Sequence, residues 1–139
     1  MFSALDISTS ALVAQRVRML ATSGNLANLS TTHNEAGKAV PYQPRFVVFQ
    51  ADDSLGNSGA AGVKVASVGI DQREPRLKWQ PGHPDAITSG AHKGYVAYPD
   101  IDMMTEMTDA MEAARAYEAN LGAIQITKEM VQQTLRILA

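Results

Sequence analysis

The sequence predicts an α+β fold in which two long terminal helices form a coiled-coil-like pair and a small β-rich insert lies between them. All six prolines lie between Pro41 and Pro99, and eight of the ten glycines lie between Gly37 and Gly94. Because proline and glycine disfavour helix interiors, the two ends are free to form long helices and the middle is not. We therefore divide the chain into an N-terminal helix (1–34), an insert domain (35–99) and a C-terminal helix (100–139).

The N-terminal segment carries an apolar stripe with helical spacing. Its members are separated alternately by four and three residues, which is the repeat of one helix face. They are Val13, Val17, Leu20, Gly24 and Ala27, flanked at intervals of seven by Leu5, Leu12, Met19 and Leu26. We expect a helix from about residue 3 to about residue 29, where Asn28 and Ser30 favour its end.

The C-terminal segment carries a longer stripe with a near-heptad rhythm, which favours a helix from about residue 102 to the end. Asp100 or Asp102 can cap its start. The stripe is apolar except for one lysine, and it comprises Met104, Met107, Met111, Ala114, Tyr117, Leu121, Ile124, Lys128, Val131, Leu135 and Leu138. We expect the two helices to pack antiparallel, with Val13, Val17 or Leu20 meeting Tyr117, Leu121 or Ile124.

The middle of the chain is typical of short strands separated by turns. Residues 45–50 (RFVVFQ), 63–70 and 95–98 are rich in β-branched and aromatic residues, which favour strands. Residues 56–62 (GNSGAAG) indicate a flexible surface loop. At about 65 residues, this insert is too small for a large core of its own, so we expect it to lean on the helices.

Composition argues against several classes of function. The net charge is −2 and there is no cysteine, so neither a basic nucleic-acid surface nor thiolate chemistry is available. His33, His83 and His92 match no metal-binding spacing, and the glycine-rich loop lacks the lysine of a phosphate loop. We find no catalytic constellation, no cofactor or metal site, and no secretory signal of the usual kind.

The two helices expose more apolar surface than the insert can cover, and exposed apolar surface of this kind marks an interaction site. The residues alone therefore predict a self-associating subunit with helical ends. Two other interpretations stay open at this point: a soluble enzyme or ligand-binding module, and a cytoplasmic coiled-coil adaptor.

Several motifs occur in order along nearly the whole chain. They are residues 2–15 (FSALDISTSALVAQ), 24–32 (GNLANLSTT), 80–86 (QPGHPDA), 94–100 (GYVAYPD) and 112–120 (EAARAYEAN). Together they resemble the flagellar basal-body rod proteins, most closely those of the proximal rod, and the alternative within this resemblance is another flagellar rod or hook subunit. The sequence departs from the family pattern at Gly24 and Leu26, where serine and isoleucine are usual, and at residues 100–102 (DID).

The resemblance implies a non-enzymatic structural subunit of the proximal rod, which transmits torque and encloses the export channel. It implies export by the flagellar type III apparatus without a cleaved signal, and a place in the periplasmic rod. The implied partners are copies of the chain, other rod proteins, and membrane-ring or export-gate components at the rod base. It implies no nucleic acid and no small-molecule substrate.

The residues expected to pack between subunits come from the two stripes and from the motif at 24–32. They are Leu5, Leu12, Val13, Val17, Leu20, Asn25, Asn28, Met107, Met111, Tyr117, Leu121, Ile124, Val131 and Leu135.

Overall fold

The structure, a computed structural model, describes residues 2–34, 36–55 and 61–138. Two helices and four strands follow one another along the chain, with a short 3-10 turn at Asp53–Leu55 after the first strand. The bounds are α1 Phe2–Ala27, β1 Arg45–Asp52, β2 Gly62–Ile70, β3 Arg76–Trp79, β4 Tyr95–Tyr98 and α2 Met103–Leu138. The predicted α+β class, with helical ends around a β-rich middle, is confirmed. Most of the predicted loop at 56–62 lies outside the described residues.

The two helices run antiparallel. Asn25, near the end of α1, bonds to Glu106 in the first turns of α2 at 3.1 Å. Arg18, two turns earlier in α1, contacts Asp109 and Glu112 at 3.2 Å each. In this register, α1 begins beside about residue 127 of α2. Because α1 has 26 residues and α2 has 36, the last turns of α2 extend beyond the start of α1.

Small and polar side chains fill the seam between the helices. The buried positions of α1 are Ala14, Thr22 and Asn25, and the fully buried position of α2 is Ala113. Small side chains let two helix backbones approach closely. Of the larger apolar residues expected in the seam, Val13 is 58% exposed, Leu20 63% and Leu121 50%. The others, Val17, Tyr117 and Ile124, are half-buried.

Strands β1 and β2 form an antiparallel hairpin whose register shifts between Val48 and Phe49. The hairpin packs along α1, where the Ser10 hydroxyl accepts a hydrogen bond of 3.1 Å from the backbone N–H of Val63. On the hairpin, Phe46 covers Gly69, since a Cβ there would lie 2.5 Å from the Phe46 ring. A larger residue at position 69 would displace that ring.

Strands β3 and β4 form a second antiparallel hairpin, with Arg76 opposite Tyr98 and Trp79 opposite Tyr95. Strand β3 was missed by the sequence analysis because it has four residues, all exposed, and gives no alternating pattern. Below this hairpin lies a small core of Val96, Pro99 and Ile101. Pro99 and Ile101 lie in the segment that connects β4 to α2.

The start of α2 is capped by Asp102 rather than Asp100. The Asp102 carboxylate accepts bonds from the Thr105 hydroxyl at 2.7 Å and from the backbone N–H of Met104 at 3.2 Å. The Thr105 bond, followed by the Met104 bond, lowers the pKa of Asp102. Such a cap satisfies N–H groups that have no partner within the helix.

Candidate assembly surface

The largest unusual feature of the chain is the apolar surface on the outer faces of its helices. On α1, Val13 and Leu20 point away from α2 and from the hairpin. On α2, exposed apolar side chains occur from its first turn to its last. They are Met103, Met104, Met107, Met111, Leu121, Ile126, Met130, Leu135 and Ile137. Isolated apolar residues on a surface are ordinary, but a helix lined with them marks a contact site.

The total accessible surface of the chain is also larger than a compact monomer of its mass would have. The chain has an accessible surface of 9680 Å², whereas a compact monomer of 14.9 kDa exposes about 7000 Å². The excess of roughly 2700 Å² reflects an elongated subunit and is comparable in size to the roughly 1000–2500 Å² that permanent contacts bury per partner.

The structure distributes the residues expected to pack between subunits over three environments. Six are exposed: Val13, Leu20, Met107, Met111, Leu121 and Leu135. Seven are half-buried: Leu5, Leu12, Val17, Asn28, Tyr117, Ile124 and Val131. Asn25 is only 3% exposed and is used within the subunit. The exposed Ile126, Met130 and Ile137 were missed, because they lie outside the single heptad stripe that the sequence analysis followed.

Asn25 joins three elements through one side-chain amide. Its Oδ1 accepts from the backbone N–H of Arg45 at 2.8 Å and from the Tyr42 hydroxyl at 3.2 Å. Its Nδ2 donates to the backbone oxygen of Arg45 at 2.9 Å and to the Glu106 carboxylate at 3.1 Å. The amide thus pairs with both backbone groups of the first residue of β1 while holding α2. We refer to Asn25, Tyr42, Arg45 and Glu106 as the polar corner.

Glu106 is half-buried, and the Asn25 amide is its hydrogen-bond donor. Burial raises the pKa of Glu106, and the Asn25 bond opposes that rise. Since burial disfavours the charged form of a carboxyl group, the Asn25 amide serves both as a link between helices and as a partner for a partly desolvated charge.

Asn28 and Thr31 close the end of α1. The Asn28 side chain donates to the backbone oxygen of Gly24 at 2.9 Å and accepts from the Thr31 hydroxyl at 3.0 Å. The Gly24 oxygen also accepts the backbone N–H of Asn28 at 3.1 Å, so the side chain adds a second hydrogen bond to the same carbonyl at the helix end. The motif at 24–32 therefore contains one asparagine that joins elements and one that ends the helix.

The same motif contacts the loop of the 80–86 motif. The Thr32 hydroxyl donates to Asp85 at 2.5 Å, and this bond lowers the pKa of Asp85. His33 Nδ1 lies 3.5 Å from the same carboxylate. His83 Nδ1 lies 3.9 Å from that carboxylate and accepts a hydrogen bond of 3.1 Å from the backbone N–H of Asp85. Two motifs separated in sequence thus form one joint between α1 and the insert.

The 94–100 motif supplies the interior of the β3–β4 hairpin. Gly94 has a φ of 85°, and a Cβ at this position would lie 2.5 Å from the Trp79 ring. Both reasons require glycine. Tyr95 packs edge-on against Trp79 with 5.2 Å between ring centroids, and the backbone of Ile87 pairs with both Gly94 and Tyr95.

A groove of about 430 Å³ lies between α1, β1 and the start of α2. Its charged lining is largely paired internally: Asp71 with Arg73 at 2.6 Å, and Asp109 with Arg18 at 3.2 Å. Across residues 2–34, 36–55 and 61–138, no cluster of three or more His, Asp or Glu side chains is placed to hold a metal ion. Neither helix, over its described length, is long and apolar enough to cross a membrane.

Comparison with known proteins relates this arrangement to the flagellar rod. A family model described as "Flagellar basal body rod FlgEFG protein C-terminal" matches residues 92–137, which include β4 and nearly all of α2. The chain is a rod protein of the flagellar basal body.

Proteins that carry the name "Flagellar basal-body rod protein FlgC" match almost the full length. The protein of Borreliella burgdorferi is 37% identical over 150 residues, covering 99% of this chain and 97% of its own. That of Bacillus subtilis is 38% identical, with coverages of 98% and 97%. That of Salmonella typhimurium is 39% identical, with coverages of 95% and 93%. The chain therefore belongs to the FlgC family of flagellar basal-body rod proteins, which confirms the expected structural role.

Proposed function

We propose that this chain builds the wall of the proximal rod by packing the outer faces of α1 and α2 against helices of neighbouring subunits. The observation that carries the proposal is the apolar surface on those two faces, which the fold of a single subunit leaves in water. Burying apolar surface is the main favourable term in protein association. A tube of such subunits removes these faces from water without requiring any change in the subunit.

The helical segments 1–34 and 100–139 would form the inner part of the tube around the export channel, and the insert 35–99 would lie outside. The antiparallel pair supports this arrangement, because Arg18 and Asn25 fix α1 to α2 and leave the opposite faces free. The overhang of α2 adds Met130, Leu135 and Ile137 to the exposed surface. We expect helices of a neighbouring subunit to cover these side chains in the rod.

The proposed partners are copies of the chain, other rod proteins and components at the rod base, within the periplasmic rod. Export through the type III apparatus in an unfolded state would suit a chain without cysteine, since no premature disulfide can form. The chain would act without a cofactor and without catalysis, and the internally paired charges of the 430 Å³ groove support a structural use.

A deletion strain tests the place of the chain in the rod. Basal bodies of cells lacking the chain should retain the membrane ring but carry no rod in electron cryotomography. Reintroducing the chain should restore the rods and return the protein to purified basal bodies. Complete rods in the deletion strain would rule out the proposal.

Single cysteines test the tube wall itself, because the chain contains none. When Val13→Cys chains (α1) and Met111→Cys chains (α2) are co-expressed, the two cysteines, both on outer faces, should form disulfides between neighbouring subunits on oxidation of isolated basal bodies. Gln50→Cys on the exposed part of β1 is the matched control and should stay uncrosslinked. Crosslinking only through Gln50→Cys would place the wall on the insert instead.

A further inference from the structure

A second surface of the subunit is polar and positively charged. A groove of about 640 Å³ is lined by Leu29 and Ser30 beyond α1, by Arg76 and Lys78 of β3, and by His83 and Tyr98. We refer to these six residues as the basic groove. Arg76 and Lys78 share one face of β3 because side chains alternate along a strand. No carboxylate is among the six residues. Arg76 pairs with Asp100 outside the lining, so among the described residues Lys78 supplies the positive charge that is not offset.

The donors of the basic groove are held in place by contacts within the subunit. Arg76 is anchored from behind by the backbone oxygen of Ile101 at 2.9 Å and by Asp100 at 3.3 Å. His83 accepts the Asp85 N–H at Nδ1, which leaves Nε2 to carry the ring proton. Lys78 forms no ion pair with any residue in the described part of the chain. An anionic group entering the groove would therefore meet donors that are already positioned.

The strongest concentration of acid in the chain lies on the first half of α2. Residues 102–118 contain Asp102, Glu106, Asp109, Glu112 and Glu118 against one base, Arg115. Glu112 remains 66% exposed beside Arg18, and Glu118 is exposed. Glu118 lies about 18 Å further along α2 than Glu106. Glu112 and Glu118 thus lie progressively further along α2 from the basic groove of their own subunit.

We propose that the basic groove of one subunit receives the acidic first half of α2, around Glu112 and Glu118, of a second copy of this chain. The inference rests on the proposed assembly into a rod and names one lateral contact within it. The two surfaces are different patches of one chain, so the contact is head-to-tail. Contacts of that type generate rings or open helical arrays rather than closed two-fold dimers.

Zero-length carbodiimide coupling of isolated basal bodies tests the contact, because it joins lysine amines to carboxylates that touch. The band with the mass of two chains should yield peptides in which Lys78 is joined to Glu112 or Glu118. Lys78→Arg cannot be coupled and should remove that linkage. Coupling of Lys78 to a different rod protein, or a two-chain band without Lys78 linkages, would overturn the proposal.

Charge reversal provides a second, functional readout. Lys78→Glu should lower incorporation into basal bodies about tenfold or more, since like charges would face each other across the contact. Combining it with Glu118→Lys should restore much of that loss. Lys64→Glu, an equal reversal on the exposed side of β2, is the control and should assemble normally. Normal assembly of Lys78→Glu contradicts this contact alone, whereas absence of the wild-type chain from basal bodies contradicts the rod assignment itself.

Discussion

The outer faces of the helices and the polar corner use side chains in opposite ways. Along the helices, large apolar residues such as Leu20 and Met111 face water. At the polar corner, the amide of Asn25 is only 3% exposed and bonds to both backbone groups of Arg45. In an ordinary globular domain the apolar side chains are inside and the polar ones outside. Here hydrogen bonds join the elements of one subunit, and large apolar side chains remain exposed on the helices.

This difference follows from what each type of interaction does well. Burial of apolar area is non-directional and strengthens with the area covered, which suits repeated contacts between subunits. Buried hydrogen bonds require fixed geometry, and an unmade one is costly, so they specify one relative placement of α1, β1 and α2. A variant on an outer face should therefore affect assembly, and a variant at the polar corner should affect the fold.

The largest expected effect is that of Leu121→Asp on assembly. Leu121 is half exposed in the subunit, so the free energy of unfolding of the free chain should change by only about 0.5 kcal/mol. In the rod the new carboxylate would be desolvated at a cost of several kcal/mol. We expect cells to export the variant but to lack rods and swimming. Cells that carry Gln50→Asp on β1, the control, should swim normally. Motility of the Leu121→Asp strain would contradict the expectation that the outer helix faces are needed for assembly.

Asn25→Ala should show the reverse pattern. Losing the amide leaves the Glu106 carboxylate and the backbone groups of Arg45 without their partner, and buried unpaired groups cost about 1–3 kcal/mol each. We expect the free energy of unfolding to fall by about 3 kcal/mol in urea denaturation. Asn120→Ala, which loses only a bond to the preceding turn, should change it by less than about 0.5 kcal/mol. Equal effects of the two variants would remove the special role of the corner.

Two glycines of the β3–β4 region extend the comparison to the insert. Gly90 and Gly94 both have positive φ, at 91° and 85°, but only Gly94 is covered by the Trp79 ring. Gly90→Ala should therefore cost about 1 kcal/mol for backbone strain, and Gly94→Ala about 2–4 kcal/mol because the ring must also move. Trp79 is the single tryptophan, so its fluorescence should shift in Gly94→Ala alone. Equal losses of stability in the two variants would mean that the Trp79 ring moves aside without an energetic cost.

The smallest expected effect concerns the charge at the polar corner. Burial raises the pKa of Glu106 above its ordinary value of 4.5, so the folded chain binds this proton more readily than the unfolded chain. The stabilisation from protonation is complete below about pH 4.5 and is lost as the pH rises through the folded-state pKa. The wild type should thus gain stability relative to Glu106→Gln on acidification from neutral pH. Glu129→Gln, at an exposed position, should follow the wild type at every pH. An unchanged difference between Glu106→Gln and the wild type would show that Glu106 is not desolvated.

The sequence predicted the elements better than it predicted their faces. The helix from about residue 3 to 29 is observed at Phe2–Ala27, and the one from about 102 at Met103–Leu138. The strands at 45–50, 63–70 and 95–98 are all present. The stripes were recognised as apolar and expected to meet in the helix seam. The structure buries Ala14 and Ala113 fully and leaves Val17, Tyr117 and Ile124 half-buried. A helix that contacts partners on two sides has two faces of low polarity, and periodicity alone does not distinguish them.

The sequence by itself determined which segments are helical, which are extended and that apolar surface is in excess, because these features depend on neighbours within a few residues. Only the tertiary structure decided which face of each helix turns inward and which partners the motif residues find. Asn25 and Glu106 are 81 residues apart, and Thr32 and Asp85 are 53 apart. Such pairs leave no periodic signal along the chain. Their contacts depend on how the hairpins fold against the two antiparallel helices.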